Sequence, residues 1–141
     1  MYKKILVALD NSSTDQAMFR HIAELAKVHA AELLLVHVAD GWAARNYNRF
    51  QLADSEEMKE DRAYLEKEAA DLRAQGLKVQ TQLALGDPAT EILKASTEEK
   101  CDLIAMTTHG HRFFKDLLYG STITQVRHRA RMPVLLVNVA K

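Results

Sequence analysis

The chain has 141 residues, 48% of them hydrophobic, and its 19 Lys and Arg balance 19 Asp and Glu to a formal net charge of zero. This length predicts one domain, residues 1–141, with a sizeable core, and the composition excludes a disordered chain. The zero net charge argues against a partner such as nucleic acid or acidic lipid that is attracted by an overall field. No apolar stretch is long enough to predict a membrane span. The single cysteine, Cys101, cannot form an internal disulfide, which is typical of a reducing compartment, so we expect a cytoplasmic protein.

The first stretch of the chain predicts a buried strand followed by a helix. Residues 5–9 form a continuous apolar run, which is typical of a strand covered on both faces, and Asp10 closes it. Ser13, with Gln16 three residues later, matches a capping box. A helix is therefore expected to start there and to run to about Ala31.

The next stretch predicts a second strand, an irregular segment and a charged helix. Residues 33–38 are again apolar and predict the strand. Residues 39–53 show no clear period and hold many polar side chains, so we expect a mobile loop there. A helix with an apolar stripe is expected over about residues 54–75, and Gly76 suits its C-terminal stop.

Two further strands with a helix between them are predicted after Gly76. Residues 77–85 alternate between apolar and polar side chains, which predicts an edge strand with one wet face. Gly86-Asp87-Pro88 combines a turn residue, a helix cap and a proline suited to a first helical turn. A helix is therefore expected to begin at this proline and to end near Lys100. The apolar residues 103–106 predict the fourth strand, which gives way to a polar stretch at Thr107.

The stretch after the fourth strand suggests an anion site. Gly110 can adopt a positive φ or allow a ligand to approach the main chain. Gly120-Ser121 is expected to open the last helix, where free N–H groups and the positive end of the helix dipole would face a phosphate. It is not a Walker loop, because no Gly-Lys-Ser/Thr ends it. The alternative to an anion site is that these glycines serve only the geometry of a strand–turn–helix junction. The last strand is expected at residues 134–139.

Strands that alternate with helices predict a doubly wound α/β domain, with a five-stranded parallel sheet and helices on both faces. The expected strand order is 3-2-1-4-5, and a crevice then opens at the carboxyl ends of strands 1 and 4. Asp10 and the loop of residues 107–110 would face each other there, with Val38 on the other rim. Asp10 could accept hydrogen bonds from a ribose or an adenine amino group, or could simply cap the first helix.

The sequence resembles the universal stress protein family over essentially the whole chain. The nucleotide motif of that family is glycine, two residues, glycine, nine residues, glycine, then serine or threonine. Here Gly110, nine intervening residues and Gly120-Ser121 match the motif, while Thr107 occupies the position of its first glycine. Other stretches that resemble the family are residues 2–7 with Asp10, residues 35–38, 86–88 and 132–137.

This resemblance implies a Rossmann-like fold of the adenine nucleotide alpha hydrolase type that binds ATP. Any Mg²⁺ would be held by phosphate oxygens rather than by a protein cage. The adenosine would lie against the first and second strands, the ribose and α-phosphate against the loop after the fourth, and the remaining phosphates against the last helix. The implied contact residues are Ala8, Asp10, Val38, Thr107, His109, Gly110, His111, Arg112, Gly120, Ser121 and Thr122.

The resemblance also implies a regulator or nucleotide sensor of the stress response, reporting to an unidentified partner protein, rather than a fast enzyme. The residues themselves show no catalytic dyad, because Ser12, Ser13 and Ser121 lack an assignable base. The two histidines of His109-Gly110-His111 lack the further ligands that zinc requires, so no metal site is expected. Two alternatives stay open: a stress protein that acts through protein contacts without nucleotide, and a slow ATPase or autophosphorylating protein.

The last strand predicts a homodimer. Residues 134–137 are apolar, lie at the edge of the expected sheet, and meet no charge before Lys141. An exposed apolar edge strand invites aggregation unless something covers it. We expect a second copy to pair with it across a two-fold axis, as the resemblance also implies. Cover by the preceding helix in a monomer is the alternative.

Overall fold

The computed structural model describes residues 1–39, 56–108 and 116–139, with the main chain alone over 116–120. Within these residues the elements are β1 (Lys4–Ala8), α1 (Asp15–His29), β2 (Glu32–Ala39), α2 (Glu56–Ala74), β3 (Val79–Leu85), α3 (Pro88–Glu98), β4 (Leu103–Thr108), α4 (Asp116–Arg129) and β5 (Val134–Asn138). The strands form one parallel sheet in the order β3-β2-β1-β4-β5. This confirms the predicted α/β class and strand order.

The alternation of side chains along the strands divides the core into two layers. On one face of the sheet, Val7 packs with α1 and α2, for example with Leu65. On the other face, Leu6 packs with α3 and α4 through Ile92 and Val126. Burial on both faces explains the continuous apolar runs of the central strands and confirms helices on both sides. No helix in the described ranges is both long enough and apolar enough to cross a membrane.

The start of α1 differs from the prediction. Thr14 is the N-cap, and no side chain caps the helix there. The predicted capping box of Ser13 and Gln16 is therefore wrong, and only their main chains interact, with the Gln16 N–H donating to the Ser13 carbonyl at 3.3 Å. The buried carboxylate of Asp15 instead accepts the N–H of Asp10 at 3.0 Å. A charged acceptor of this kind makes a stronger hydrogen bond than the hydroxyl of an exposed serine.

The last helix starts earlier than predicted. α4 begins at Asp116 rather than at Gly120. In a helix that begins there, the amides of Gly120 and Ser121 donate to carbonyl groups one turn earlier, so they are not the free N–H groups of a helix end. The expected helix start at Gly120 is therefore wrong. Leu117 and Leu118 are strong helix formers, and a single glycine inside the second turn costs only about 1 kcal/mol.

The other predicted boundaries lie within two residues of the observed ones. β4 extends through Thr108, so Thr107 lies inside the strand rather than after it. Ala39 ends β2, and the remainder of the loop predicted over residues 39–53 lies outside the described residues. Gly76 follows α2 with a φ of 91°, which confirms it as the stop of that helix.

Cys101, two residues before β4, is a buried thiol. It is 6% exposed, and burial raises the pKa of the thiol to about 11. Because the thiolate is the reactive form, this environment favours an inert core residue over a nucleophile.

Asp87 caps α3 as predicted, and its loss should destabilise the fold. Its Oδ2 accepts the hydroxyl of Thr90 at 2.7 Å and the N–H of Thr90 at 3.0 Å. These two bonds hold the pKa of Asp87 below its usual value, with the hydroxyl contributing most. We expect Asp87→Ala to lower the free energy of unfolding by about 1 kcal/mol near neutral pH, measured by urea denaturation.

The pH dependence of this effect has a defined sign. A lowered pKa in the folded state means that Asp87 stabilises the fold above the ordinary aspartate range, and that this stabilisation is lost as pH falls through the lowered value. The difference between the wild type and Asp87→Ala should therefore shrink in acid. Asp71→Ala, at an exposed position within α2, is the matched control and should change stability little. Equal losses in both variants would contradict the cap.

Candidate functional site

A cavity of about 140 Å³ lies beside the carboxyl ends of β1 and β2. The crevice was predicted between the ends of strands 1 and 4, with Val38 on its rim, but no described residue of β4 lines this cavity. Its lining residues are Ala8, Leu9, Asp10, Val36, His37, Val38, Pro88, Ile92 and Thr122. The structure thus brings together four of the predicted site residues: Ala8, Asp10, Val38 and Thr122. β1 and β2 position the first three, and the first turns of α4 position Thr122.

The cavity suits a small, mainly apolar group. Ala8, Val36 and Ile92 are each at most 4% exposed and form apolar walls. Its volume of about 140 Å³ is below the roughly 300–1,000 Å³ of pockets that enclose a whole drug-sized ligand. A planar heterocycle would fit such a slot, while polar groups attached to it would project beyond the opening.

Among the described residues, the N–H and C=O of Val38 have no hydrogen-bond partner beside this cavity. The carbonyl of Ala39 faces β3, since it accepts the N–H of Gly86 at 3.3 Å, so the main-chain groups of Val38 face the β1 side. The ladder between β1 and β2 ends where the Leu9 N–H donates to the Val36 carbonyl at 2.8 Å. Beyond that bond, the described residues offer no hydrogen-bond partner to the N–H and C=O of Val38. A donor and an acceptor therefore lie side by side at the cavity.

His37 explains why the ladder stops at this point. A regular parallel ladder would next place the N–H of Val38 on the carbonyl of Leu9. The Nδ1 of His37 donates to that carbonyl instead, at 2.9 Å, and it must carry the proton because a carbonyl only accepts. The Nε2 of the same ring lies 3.6 Å from Oδ2 of Asp61 in α2. His37 thus occupies the Leu9 carbonyl and leaves Val38 open to a ligand.

Asp10 is held by a buried carboxylate rather than acting as a helix cap. Its Oδ2 accepts the hydroxyl of Thr14 at 3.2 Å, and its N–H donates to Oδ1 of Asp15 at 3.0 Å. The residue Asp15 is 0% exposed. Its Oδ2 accepts the hydroxyl of Tyr64 at 2.9 Å and the N–H of Ser12 at 3.3 Å. The half-buried side chain of Asp10 is thereby fixed at the rim of the cavity.

Burial raises the pKa values of both Asp15 and Tyr64. It raises the pKa of the Asp15 carboxyl, against the hydrogen bonds from Asp10, Tyr64 and Ser12, which lower it. Burial, and then the charge of Asp15, raise the pKa of the Tyr64 hydroxyl. Tyr64 therefore keeps its proton and remains the donor in the contact between α2 and α1.

Thr107 lies on the opposite face of the sheet from the cavity. Its β4 neighbours alternate, with Ala105 packed on the α1 face and Met106 on the α3 face, so Thr107 shares the face of Ala105. Its side chain is buried, and its Oγ1 has no hydrogen-bond partner among the described residues. Its φ is not positive, so threonine at the position of the motif's first glycine causes no backbone strain. Only its main chain could border a ligand in the cavity.

The remaining predicted site residues fall into two groups, those outside the described residues and those within α4. Four predicted site residues lie outside the described residues, so their roles stay predictions: His109, Gly110, His111 and Arg112. Of the remainder, Thr122 is 6% exposed at the cavity, and Gly120 lies within α4. Ser121 is exposed, and its Oγ accepts the Nε2 of Gln125 at 3.2 Å.

The sequence did not predict that Pro88 and Ile92 of α3 line the cavity. It also did not predict the hydrogen bonds by which Asp15 and Tyr64 hold Asp10. A signal for Pro88 and Ile92 existed, because a helix before strand 4 covers the same face of the sheet as the helix after it. No local signal identifies the pairing of Asp15 with Tyr64, which lie 49 residues apart. Among the described residues, no group of three or more His, Cys, Asp or Glu is arranged to hold a metal ion. The site is therefore suited to binding rather than to catalysis by these residues: the main-chain groups of Val38 can hydrogen-bond one edge of a ligand whose body lies in the apolar cavity.

Comparison with known proteins places the chain in a family. Residues 1–138 match the sequence model of the universal stress protein family. The universal stress protein MJ0577 of Methanocaldococcus jannaschii is 31% identical over 97% of this chain and 95% of the relative. Its solved structure has a TM-score of 0.79 and covers 100% of this chain and 99% of that one.

Two ligand complexes share the fold. A universal stress protein of Archaeoglobus fulgidus in complex with dAMP is 21% identical, with a TM-score of 0.72 over 96% of this chain and 98% of that one. A universal stress protein in complex with cAMP is 18% identical, with a TM-score of 0.72 over 99% of this chain and 98% of that one. With the family match over residues 1–138 and the 31% identity to MJ0577, this chain belongs to the universal stress protein family.

Proposed function

We propose that this protein binds ATP and acts as a regulator or nucleotide sensor of the stress response, reporting its nucleotide state to a partner protein. The observation that carries the proposal is the main-chain edge of Val38, which has no partner among the described residues, beside an apolar cavity of about 140 Å³. A nucleobase is a flat ring with donors and acceptors along one edge. It would fill the slot and satisfy both main-chain groups of Val38 at once.

The base that suits this edge is adenine. Adenine presents an amino donor next to a ring-nitrogen acceptor, which match the C=O and the N–H of Val38. Guanine in the same pose would place its carbonyl acceptor against the C=O of Val38 and its ring N–H donor against the N–H of Val38. Neither contact could then form a hydrogen bond. The relatives in complex with dAMP and with cAMP support this choice, because both ligands carry adenine.

The rest of the nucleotide would follow the crevice outward from the cavity. Asp10, at the rim, would accept hydrogen bonds from the ribose. The phosphates would meet Gly110, His111 and Arg112 in the loop after β4, and the hydroxyls of Ser121 and Thr122. Mg²⁺ would be held by phosphate oxygens, since the described residues contain no carboxylate or histidine cluster for it. In this proposal the protein is not a fast enzyme, and a slow ATPase or autophosphorylating activity is the alternative.

The protein would act as a homodimer in a reducing compartment such as the cytoplasm. In the described sheet β5 pairs only with β4, and Leu136 is 38% exposed. On the opposite face of the sheet from Leu136, a groove of about 620 Å³ lies between Val137 and α1, and its lining includes the polar side chains of Arg20, His21 and Glu24. A second copy paired through Val134 to Val137 would cover the edge strand. The buried, unpaired thiol of Cys101 is compatible with a reducing compartment.

Thermal unfolding with a panel of nucleotides tests the proposed ligand. ATP at a hundredfold excess over its Kd should stabilise the fold by about 2.7 kcal/mol and raise the Tm by several degrees. GTP at the same concentration should give a clearly smaller shift. Equal shifts with ATP and GTP would refute recognition through the Val38 edge. Phosphate release in the presence of Mg²⁺, measured in parallel, distinguishes a slow ATPase from a sensor.

A further inference from the structure

Two sets of contacts connect α2 to the cavity through the loop that joins β1 to α1, and we call them the first and the second tie. This loop, residues 9–14, has no regular structure of its own, and Asn11 within it has a φ of 58°. The side chain of Thr14, the N-cap of α1, accepts no main-chain N–H from the first turn of that helix. The loop has hydrogen bonds of its own, such as that from the Thr14 hydroxyl to Oδ2 of Asp10 at 3.2 Å, and side chains outside the loop provide further ones. Two residues of α2, Asp61 and Tyr64, supply them.

The first tie runs from Tyr64 to the main chain of Asp10. The Tyr64 hydroxyl donates to Oδ2 of Asp15 at 2.9 Å, and Oδ1 of Asp15 accepts the Asp10 N–H at 3.0 Å. Asp15 is 0% exposed, so water cannot replace either partner. Without the tyrosine hydroxyl, a carboxylate already disfavoured by burial loses one of its stabilising donors. The orientation of Asp10 at the cavity rim is therefore coupled to the position of α2.

The second tie runs from Asp61 to Leu9. Oδ1 of Asp61 accepts the side-chain N–H of Asn11 at 3.0 Å, which holds the residue with positive φ. Oδ2 of Asp61 lies 3.6 Å from Nε2 of His37. The same ring donates to the Leu9 carbonyl at 2.9 Å and so keeps the edge of Val38 open. The two features of the cavity that would recognise a ligand are the Asp10 side chain and the Val38 main chain. Both thus depend on contacts with α2.

We propose that Tyr64 and Asp61 are positioning residues for the nucleotide, and that nucleotide binding and the docking of α2 are thermodynamically linked. This inference rests on the proposed function, because it assigns a regulatory route to the same site. Linkage is reciprocal: if a docked α2 favours the binding-competent loop, bound nucleotide must favour a docked α2 by the same factor. Helix α2 is then the part of the molecule through which nucleotide occupancy changes the surface offered to a partner.

The substitution Tyr64→Phe removes only the hydroxyl group and therefore tests the first tie. We expect ATP to bind Tyr64→Phe roughly tenfold more weakly than the wild type, since the lost hydrogen bond is to a charged group. Tyr2→Phe is the matched control. Tyr2 lies before β1, at the opposite end of the sheet from the cavity, with its ring centroid 5.1 Å from that of His29. This variant should keep the wild-type Kd.

Amide hydrogen exchange provides the readout that a purely structural role would not move. ATP should slow exchange along α2 in the wild type and in Tyr2→Phe, and should slow it much less in Tyr64→Phe. If Tyr64→Phe lowers the free energy of unfolding but keeps the wild-type Kd and the wild-type protection of α2, the proposed linkage is wrong. If the wild type itself binds no ATP, the proposed function fails and the linkage fails with it.

A second variant covers the case in which Tyr64→Phe does not fold. Asp61→Asn keeps the shape of the side chain and an oxygen for Asn11 but removes the charge that faces His37. We expect it to weaken ATP binding and to reduce the protection of α2. A wild-type Kd with full protection in this variant would overturn the role of the second tie.

Discussion

Replacing Ala8 with leucine should abolish ATP binding, with an affinity loss of at least about 100-fold, or roughly 2.7 kcal/mol. Ala8 is 2% exposed and forms part of the wall of the 140 Å³ cavity. A leucine there adds three carbon atoms to a space of about 140 Å³, which would hold little more than the base itself. The base would have to give up either the slot or its contacts with the Val38 main chain. Because the new side chain enters existing space, we expect a stability change of no more than about 1–3 kcal/mol.

The matched control for this variant is Ala70→Leu, the same change at an exposed position of α2. It should leave both the Kd for ATP and the Tm close to the wild type. Circular dichroism and the Tm establish whether Ala8→Leu is folded, and calorimetric titration gives its affinity. A folded Ala8→Leu variant with wild-type ATP affinity would show that the base lies elsewhere.

The second large effect is expected at the edge of the sheet. Leu136→Asp should convert a homodimer into a monomer, with the dissociation constant raised at least about 100-fold. In the proposed dimer each Leu136 lies against the partner's β5, where an aspartate would bury two like charges without counter-ions. In the monomer this position is 38% exposed, so the fold itself should tolerate the change. Sedimentation or light scattering at micromolar concentration measures the mass.

Gln80→Asp adds the same charge at an exposed position of β3, the other edge strand of the sheet. It should leave the dimer intact, which separates a specific interface from a general effect of added charge. A wild-type protein that is monomeric at micromolar concentration would refute the dimer. A Leu136→Asp protein that is still dimeric would move the interface away from β5.

The strand order could be predicted because it follows from strong, repeated patterns. The runs at residues 5–9, 33–38 and 103–106 are apolar without interruption, and only a sheet covered on both faces buries all their side chains. The alternation along residues 77–85 identified β3 as an edge strand, which the sheet confirms. With helices between the strands, handedness and short connections leave few other topologies.

The helix starts were harder to predict, because several short-range signals compete there. Ser13 matches a capping box by sequence, yet the buried Asp15 holds the loop instead. That outcome depends on Tyr64, a distant residue that helps to satisfy the carboxylate. Gly120-Ser121 matches a helix start by sequence, yet the residues before it already favour a helix.

The candidate site was predictable in position but not in mechanism. The rule that ligands bind at the carboxyl ends of parallel strands brings Asp10 and Val38 together, the family resemblance adds Ala8, and all three line one cavity. The opening of the Val38 edge depends on the His37 ring taking the Leu9 carbonyl. A single side-chain hydrogen bond of this kind leaves no period or spacing in the sequence.

Calorimetric titration of the full chain with ATP, in the presence of Mg²⁺, tests the central claim most directly. The cavity beside Val38 predicts saturable binding of one ATP per chain, with a heat signal that is lost in Ala8→Leu and kept in Ala70→Leu. The absence of saturable binding by the wild type at millimolar ATP would contradict the proposed function.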